Sequence, residues 1–171
     1  IPTLVDRKRG QYTPIGRVPP GTHREFIYRS AFELGRGLMA YEDQKVLAAI
    51  DWFKGEEPRV PVGVMGWGEG GLVALYAGAL DTRIDATCVS GHFNDRRRIW
   101  SEPIERNVFG LLEQFGDAEL ASLVAPRALL VEVVPGPEFR CDGPLGGAPA
   151  LDRARRAREA DGDEPTGLLR D

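Results

Sequence analysis

Sulfur and imidazole are scarce in this chain of 171 residues, which has two cysteines, two methionines and two histidines. Cys88 and Cys141 stand too far apart to read as a disulfide framework or a zinc site. His23 and His92 leave little material for a metal centre. No run approaches the ~18 uninterrupted apolar residues of a membrane-spanning helix. An excess of basic charge is missing too. The 22 Lys and Arg residues against 26 Asp and Glu give a net charge of −4 and a pI near 5.3, which argues against a phosphate-tracking surface and a nucleic-acid partner. There is no internal repeat. The chain opens on Ile1-Pro2, without an initiator methionine or signal-peptide pattern, and reads as a piece of something longer.

What is present is a core-forming chain, 42% hydrophobic and long enough for one domain. Ile1 to Val5 reads as the end of a strand. A long helical stretch starts near His23, breaks around Gly35 and Gly37, and resumes at Tyr41. There Val46, Leu47, Ile50 and Phe53 share one face, and Gly55 ends the helix. Val60 to Met65 reads as a strand buried on both faces, followed by a tight turn over Gly66–Gly71 and a helix marked by Leu72, Leu75, Tyr76 and Ala79. Ile84 to Val89 and Ala128 to Val134 are the next two strands. Helical segments are expected at Asn107–Phe115 and Asp117–Val124. Strand alternating with helix predicts an α/β fold with a mostly parallel sheet. Residues 139–171, rich in Pro and Gly and then in charge, read as a solvated or disordered tail.

The chemistry concentrates at Gly66-Trp67-Gly68-Glu69-Gly70-Gly71, which joins a strand directly to a helix. One device with this spacing is the nucleophile elbow, G-x-S-x-G. Gly66 and Gly70 occupy its flanks, where side chains would collide with strand and helix, and Gly68 stands where the nucleophile belongs. The other device is the dinucleotide-binding loop, G-x-G-x-x-G, matched by Gly66, Gly68 and Gly71. That loop wants an acidic residue at the end of the next strand, which instead ends Val89-Ser90-Gly91. Glu69 would also repel a pyrophosphate at the helix start.

The blocks Arg24-Glu25-Phe26-Ile27-Tyr28-Arg29 and Tyr41-Glu42-x-Gln44-Lys45-Val46-Leu47-Ala48-Ala49-Ile50-Asp51-Trp52 carry a resemblance. So do the glycine turn, Leu80-Asp81-x-Arg83-Ile84-Asp85-Ala86, Val89-Ser90-Gly91 and Ala125-Pro126-Arg127-Ala128-Leu129-Leu130. Over roughly residues 1–138 the chain resembles bacterial α/β-hydrolases of the acetyl xylan esterase and dienelactone hydrolase group. The resemblance implies an incomplete hydrolase core, entered near the fourth strand of that fold and left after the seventh. It implies a carboxylic-ester substrate, such as acetylated polysaccharide, and no cofactor. Residue by residue, it places the nucleophile at Gly68, an oxyanion-binding backbone N–H at Glu69 and the triad acid at Glu138. No histidine follows His92, so two of three triad members are missing and serine-esterase chemistry is not supported.

Other groups have sharp and bland readings. Glu69 is either an unconventional carboxylate nucleophile or base, or an acidic residue suited to a helix's first turn. His92, at the carboxyl edge of the sheet, is a catalytic candidate or a loop histidine with a structural hydrogen bond. Trp67 is the best placed of Trp52, Trp67 and Trp100 for stacking on a sugar ligand. Ser90 has no base recognisable in the sequence, and Cys88 reads as core. Arg96–Arg98 read as a solvated face or a site for a carboxylate. Too few strands leave open sheet edges, which favours self-association.

Overall fold

The computed structural model describes residues 1–7, 21–94, 96, 99 and 102–136. In chain order they form α1 (His23–Glu33), α2 (Leu38–Glu56), β1 (Gly63–Trp67), α3 (Glu69–Leu80), β2 (Ala86–Ser90), α4 (Asp117–Val124) and β3 (Ala128–Glu132). Single 3-10 turns at Ile104–Arg106 and Leu111–Glu113 lie between β2 and α4. The strands form one parallel sheet in the order β1-β2-β3, so the molecule is α/β as its alternating pattern predicts. Glu138, Trp100, Arg97, Arg98, Cys141 and the tail lie outside the described residues.

Helix α3 organises the core. It is apolar on all sides, as a helix enclosed by its neighbours must be, and every residue from Gly71 to Gly78 is buried. Leu72, Val73, Leu75 and Tyr76 pack with Met39 of α2, Val89 of β2 and Leu120 of α4, while Ala77 meets Ile50 and Ile84. The helix lies close to the sheet at Gly78, where a Cβ would stand 2.4 Å from Thr87 Oγ1. Helix α1 starts at a Thr22 cap, whose hydroxyl accepts the Glu25 N–H.

Several expectations are corrected. Helix α2 resumes at Leu38 rather than Tyr41, and its inner face runs through Met39, Glu42, Asp43, Val46 and Ile50, leaving Phe53 exposed. Pro61 has no N–H to donate, and β1 starts only after Val62 has paired with Asp85, so the strand is Gly63–Trp67. Its burial alternates, contrary to a strand buried on both faces. Helix α3 covers Val64 and Gly66, while Met65 and Trp67 face outward at 75% and 55% exposure. The parallel register puts Cys88 and Leu130 beside Met65 on that same open face, so Cys88 is a half-buried face residue rather than core. The apolar groove there has a volume near 470 Å³. Strand β3 stops at Glu132. Residues 1–7 join no strand, and 107–115 form one 3-10 turn instead of a helix.

The expected six-residue turn shrinks to one residue. Gly66 and Trp67 belong to β1, Glu69 already begins α3, and Gly68 alone reverses the chain. A Cβ on Gly66 would fall 1.9 Å from Gly70 O, and one on Gly71 would fall 2.8 Å from Ser90 O. Gly70 has open space around its own Cβ position. The close packing of strand and helix therefore requires Gly66 and Gly71, not the Gly66 and Gly70 of the elbow pattern. Gly66→Ala is expected to cost about 3 kcal/mol of unfolding free energy, since the contact is with backbone that cannot yield. Gly70→Ala is expected to be neutral or to stabilise by about 0.5 kcal/mol through helix propensity. Urea unfolding of both variants beside the parent chain checks the contrast.

Candidate functional site

The carboxyl ends of the strands, where ligands of open α/β sheets collect, carry the glycine turn. Gly68 has φ 58° and ψ −119°, a backbone that L side chains rarely adopt. Its N–H donates to Ser90 O at 2.8 Å, tying the turn to β2. Gly71 and Leu72 donate back to Gly68 O at 3.0 and 3.2 Å. Helix geometry leaves the N–H groups of Glu69 and Gly70 without intrahelical partners. Gly91, with φ +63°, and Gly136 crowd the same spot. A Cβ on Gly91 would lie 2.9 Å from Trp67 Nε1, and one on Gly136 would lie 2.6 Å from Gly91 O and 3.8 Å from Gly68 Cα. The chain leaving β3 thus passes beside the glycine turn, and the half-exposed Trp67 indole borders it.

Ser90 is the last residue of β2, between Trp67 of β1 and Glu132 of β3 in the parallel register. Its hydroxyl donates to Glu132 Oε2 at 2.5 Å. The hydrogen-bond partner of Ser90, which the sequence did not reveal, is therefore a residue 42 positions away. Only the strand pairing brings the two together.

The Glu69 carboxylate points away from the role of nucleophile. It is 4% exposed and bound by the guanidinium groups of Arg7 and Arg24, with Arg106 Nε 3.5 Å away. Arg24, itself 1% exposed, also donates to Glu42 Oε1 at 2.9 Å and to Val5 O at 2.9 Å. Arg7 also binds Glu105, and Lys45 Nζ donates to Glu42 Oε2 at 2.7 Å. Three carboxylates and their cations thus form a buried network that pins residues 1–7 against α1, α2 and the start of α3. Charge-assisted hydrogen bonds of this kind are roughly twice as strong as neutral ones and fix the orientation of the groups they join.

His92 sits in a second polar cluster. Its Nε2 is 3.5 Å from Asp117 Oδ2 and 3.5 Å from Arg96 Nη1. Arg96 Nη1 is 3.4 Å from Asp117 Oδ1, and its Nε is 3.4 Å from Glu102 Oε1. Burial would raise the Asp117 carboxyl, but the His92 ring, the Asn94 N–H and Arg96 together hold it below its usual range. Arg96 is therefore a buried structural cation and not part of a solvated face. The Tyr76 phenol, facing Arg96, Asp117 and Asp43, is pushed up mainly by burial. Asp43 is pushed up to about 8, first by burial and then by neighbouring Glu42, and its Oδ1 makes no hydrogen bond.

The fold thus brings Trp67, Gly68 and the Glu69 backbone to one edge, while the Glu69 and His92 side chains serve buried clusters. Trp52 makes its ring contact with Phe53, 5.0 Å away on the outside of α2. Arg24, Glu42 and Asp43 were missed in the sequence, although a signal existed for two of them: Arg24 and Asp43 interrupt otherwise apolar helix faces, Arg24-Tyr28-Ala31 and Met39-Asp43-Val46-Ile50. Among the described residues no group of His, Cys, Asp and Glu could hold a metal ion, and no helix is long and apolar enough to cross a membrane. No protein-family model, curated protein or solved structure matches the chain.

Two measurements test these clusters. Arg24→Ala leaves Glu42 and Glu69 buried without their shared cation, and is expected to lower stability by about 3 kcal/mol in urea unfolding. Folded Asp43 keeps its proton to about pH 8, whereas the unfolded carboxyl releases it near 3.8. Stability is therefore expected to fall as pH rises through that window, by up to about 1.4 kcal/mol per unit. Asp43→Asn should flatten the dependence between about pH 5 and 8 in thermal melts.

Proposed function

We propose that this chain carries a hydrolase-type sheet whose elbow binds a small ester or sugar-like ligand through main-chain N–H groups, without a covalent nucleophile. The single observation that carries the reading is Gly68. A residue with φ 58° and ψ −119° forms the whole turn between β1 and α3, the sharp strand-to-helix turn on which such enzymes mount a serine, and it has no side chain. The N–H of Glu69, which begins the helix, is the group that binds an oxyanion in that arrangement. It needs no particular side chain to do so. The engagement of Glu69 by three arginines supports a structural role for its carboxylate, and the contacts of His92 with Asp117 and Arg96 support the same for its ring.

Two alternatives use the same residues. An active hydrolase would require the Glu69 carboxylate to leave its ion pairs and attack. A dinucleotide-binding loop would use Gly66, Gly68 and Gly71, but β2 offers Ser90 where a ribose-binding acid is needed. Purified folded chain is expected to hydrolyse a small activated acetate ester no faster than the buffer blank, and Gly68→Ser alone is expected to stay silent because no histidine base is in place. An enzyme-dependent rate that disappears in a folded Glu69→Gln variant would overturn the proposal. Saturable quenching in a nicotinamide-fluorescence titration would favour the dinucleotide reading instead.

A further inference from the structure

The open face of the sheet ends, at its carboxyl edge, in a row of three side chains on three adjacent strands: Trp67, Ser90 and Glu132. Paired residues of parallel strands project to the same face; Trp67 and Glu132 are exposed there, while Ser90 between them is buried at 2% exposure. We propose that this row binds a small organic ammonium ion, with Trp67 supplying the aromatic face and Glu132 the counter-charge. The proposal rests on the reading of the carboxyl edge as a ligand site and gives that ligand a chemical class.

Four features carry it. The Trp67 indole is 55% exposed, and its Nε1 lies beside Gly91, 2.9 Å from where a Cβ on that glycine would stand. Glu132 is exposed, and no cation pairs with it among the described residues. That is unusual in a molecule whose other carboxylates beside the elbow, Glu69 and Glu105, are both bound by arginine. Ser90 draws Glu132 inward over β2 by its 2.5 Å hydrogen bond to one oxygen, which leaves the second oxygen to a ligand. Finally, the spacing suits a compact cation. Strands stand about 4.8 Å apart, so the Trp67 and Glu132 backbones are roughly 10 Å apart with only a serine between them.

The chemistry separates an ammonium from other occupants. An aromatic face attracts a desolvated cation through its quadrupole, most strongly for tryptophan, and a neighbouring carboxylate adds Coulomb attraction at short range. A carboxylate or phosphate ligand would be repelled by Glu132. A purely apolar ligand would gain from Trp67 and from Met65, Cys88 and Leu130 below it, but would draw nothing from Glu132. The row adjoins the elbow, since Gly136 and Gly91 lie against both Trp67 and Gly68. An ammonium held there would therefore place the rest of its molecule beside the first N–H groups of α3.

The test is a titration of the whole chain with choline at low ionic strength, read by calorimetry and by the choline methyl resonance. Its neutral carbon isostere, 3,3-dimethylbutanol, serves as the control. Saturable choline binding at least about tenfold tighter than that of the isostere is expected, as is a loss of about tenfold in Glu132→Gln. Trp67→Leu should also lose binding, with circular dichroism confirming the fold of each variant. Equal binding of choline and its isostere, unchanged binding by Glu132→Gln, or no saturable choline binding overturns the proposal. The ester assay above reads the elbow separately, so either conclusion can fail while the other stands.

Discussion

Arg24 is the cation on which the rest of the arrangement depends. It lies on α1, yet its guanidinium reaches Glu42 on α2, Glu69 at the start of α3 and the backbone carbonyl of Val5. Burying an arginine is costly unless its donors are matched, and here Nη1 and Nη2 are matched by carboxylates from two different helices, while Nε makes no hydrogen bond. The result is that α1, α2, α3 and the amino-terminal segment share one electrostatic joint. Because Glu69 is the first residue of α3, the same joint fixes the helix start and hence the direction in which its first N–H groups point. Apolar packing around Leu72, Leu75 and Val89 supplies the bulk of the core, but it is non-directional. The charge network adds the orientation that packing alone lacks.

How much of this was readable beforehand varies with range. Strand and helix alternation, the three strands, α1, α2, α3 and α4, and the importance of the glycine turn all follow from local signals: hydrophobic spacing and glycine placement within about ten residues. The partners of Arg24 lie 18 and 45 positions away, and that of Ser90 lies 42 away. No local signal encodes such pairs, although Arg24, a charged residue set into an apolar helix face, marked one member of the first two. The expectation that β1 is enclosed failed for a related reason. A short apolar run carries no record of whether a second layer covers it, and Met65 and Leu130 face outward with nothing in the run Val60–Met65 to say so.

The glycine turn illustrates how one pattern can hold positions of different necessity. Gly66 and Gly71 are demanded by contacts under 3 Å with backbone, Gly68 by its positive φ, and Gly70 by neither. A pattern match weighs all four alike, whereas the geometry ranks them. It also separates the two meanings of Glu69, whose N–H belongs to the turn and whose carboxylate belongs to the arginines.

A turn whose offered atoms are all main-chain has an unusual standing under mutation. Replacing the side chains of Trp67, Glu69 or Gly70 alters its surroundings but removes none of the N–H groups it presents. Only a change of path can do that, such as an inserted or deleted residue or the loss of one of the three constrained glycines. What the sequence specifies at this position is a shape rather than a functional group, and substitutions at side chains that the path does not constrain leave that shape untouched.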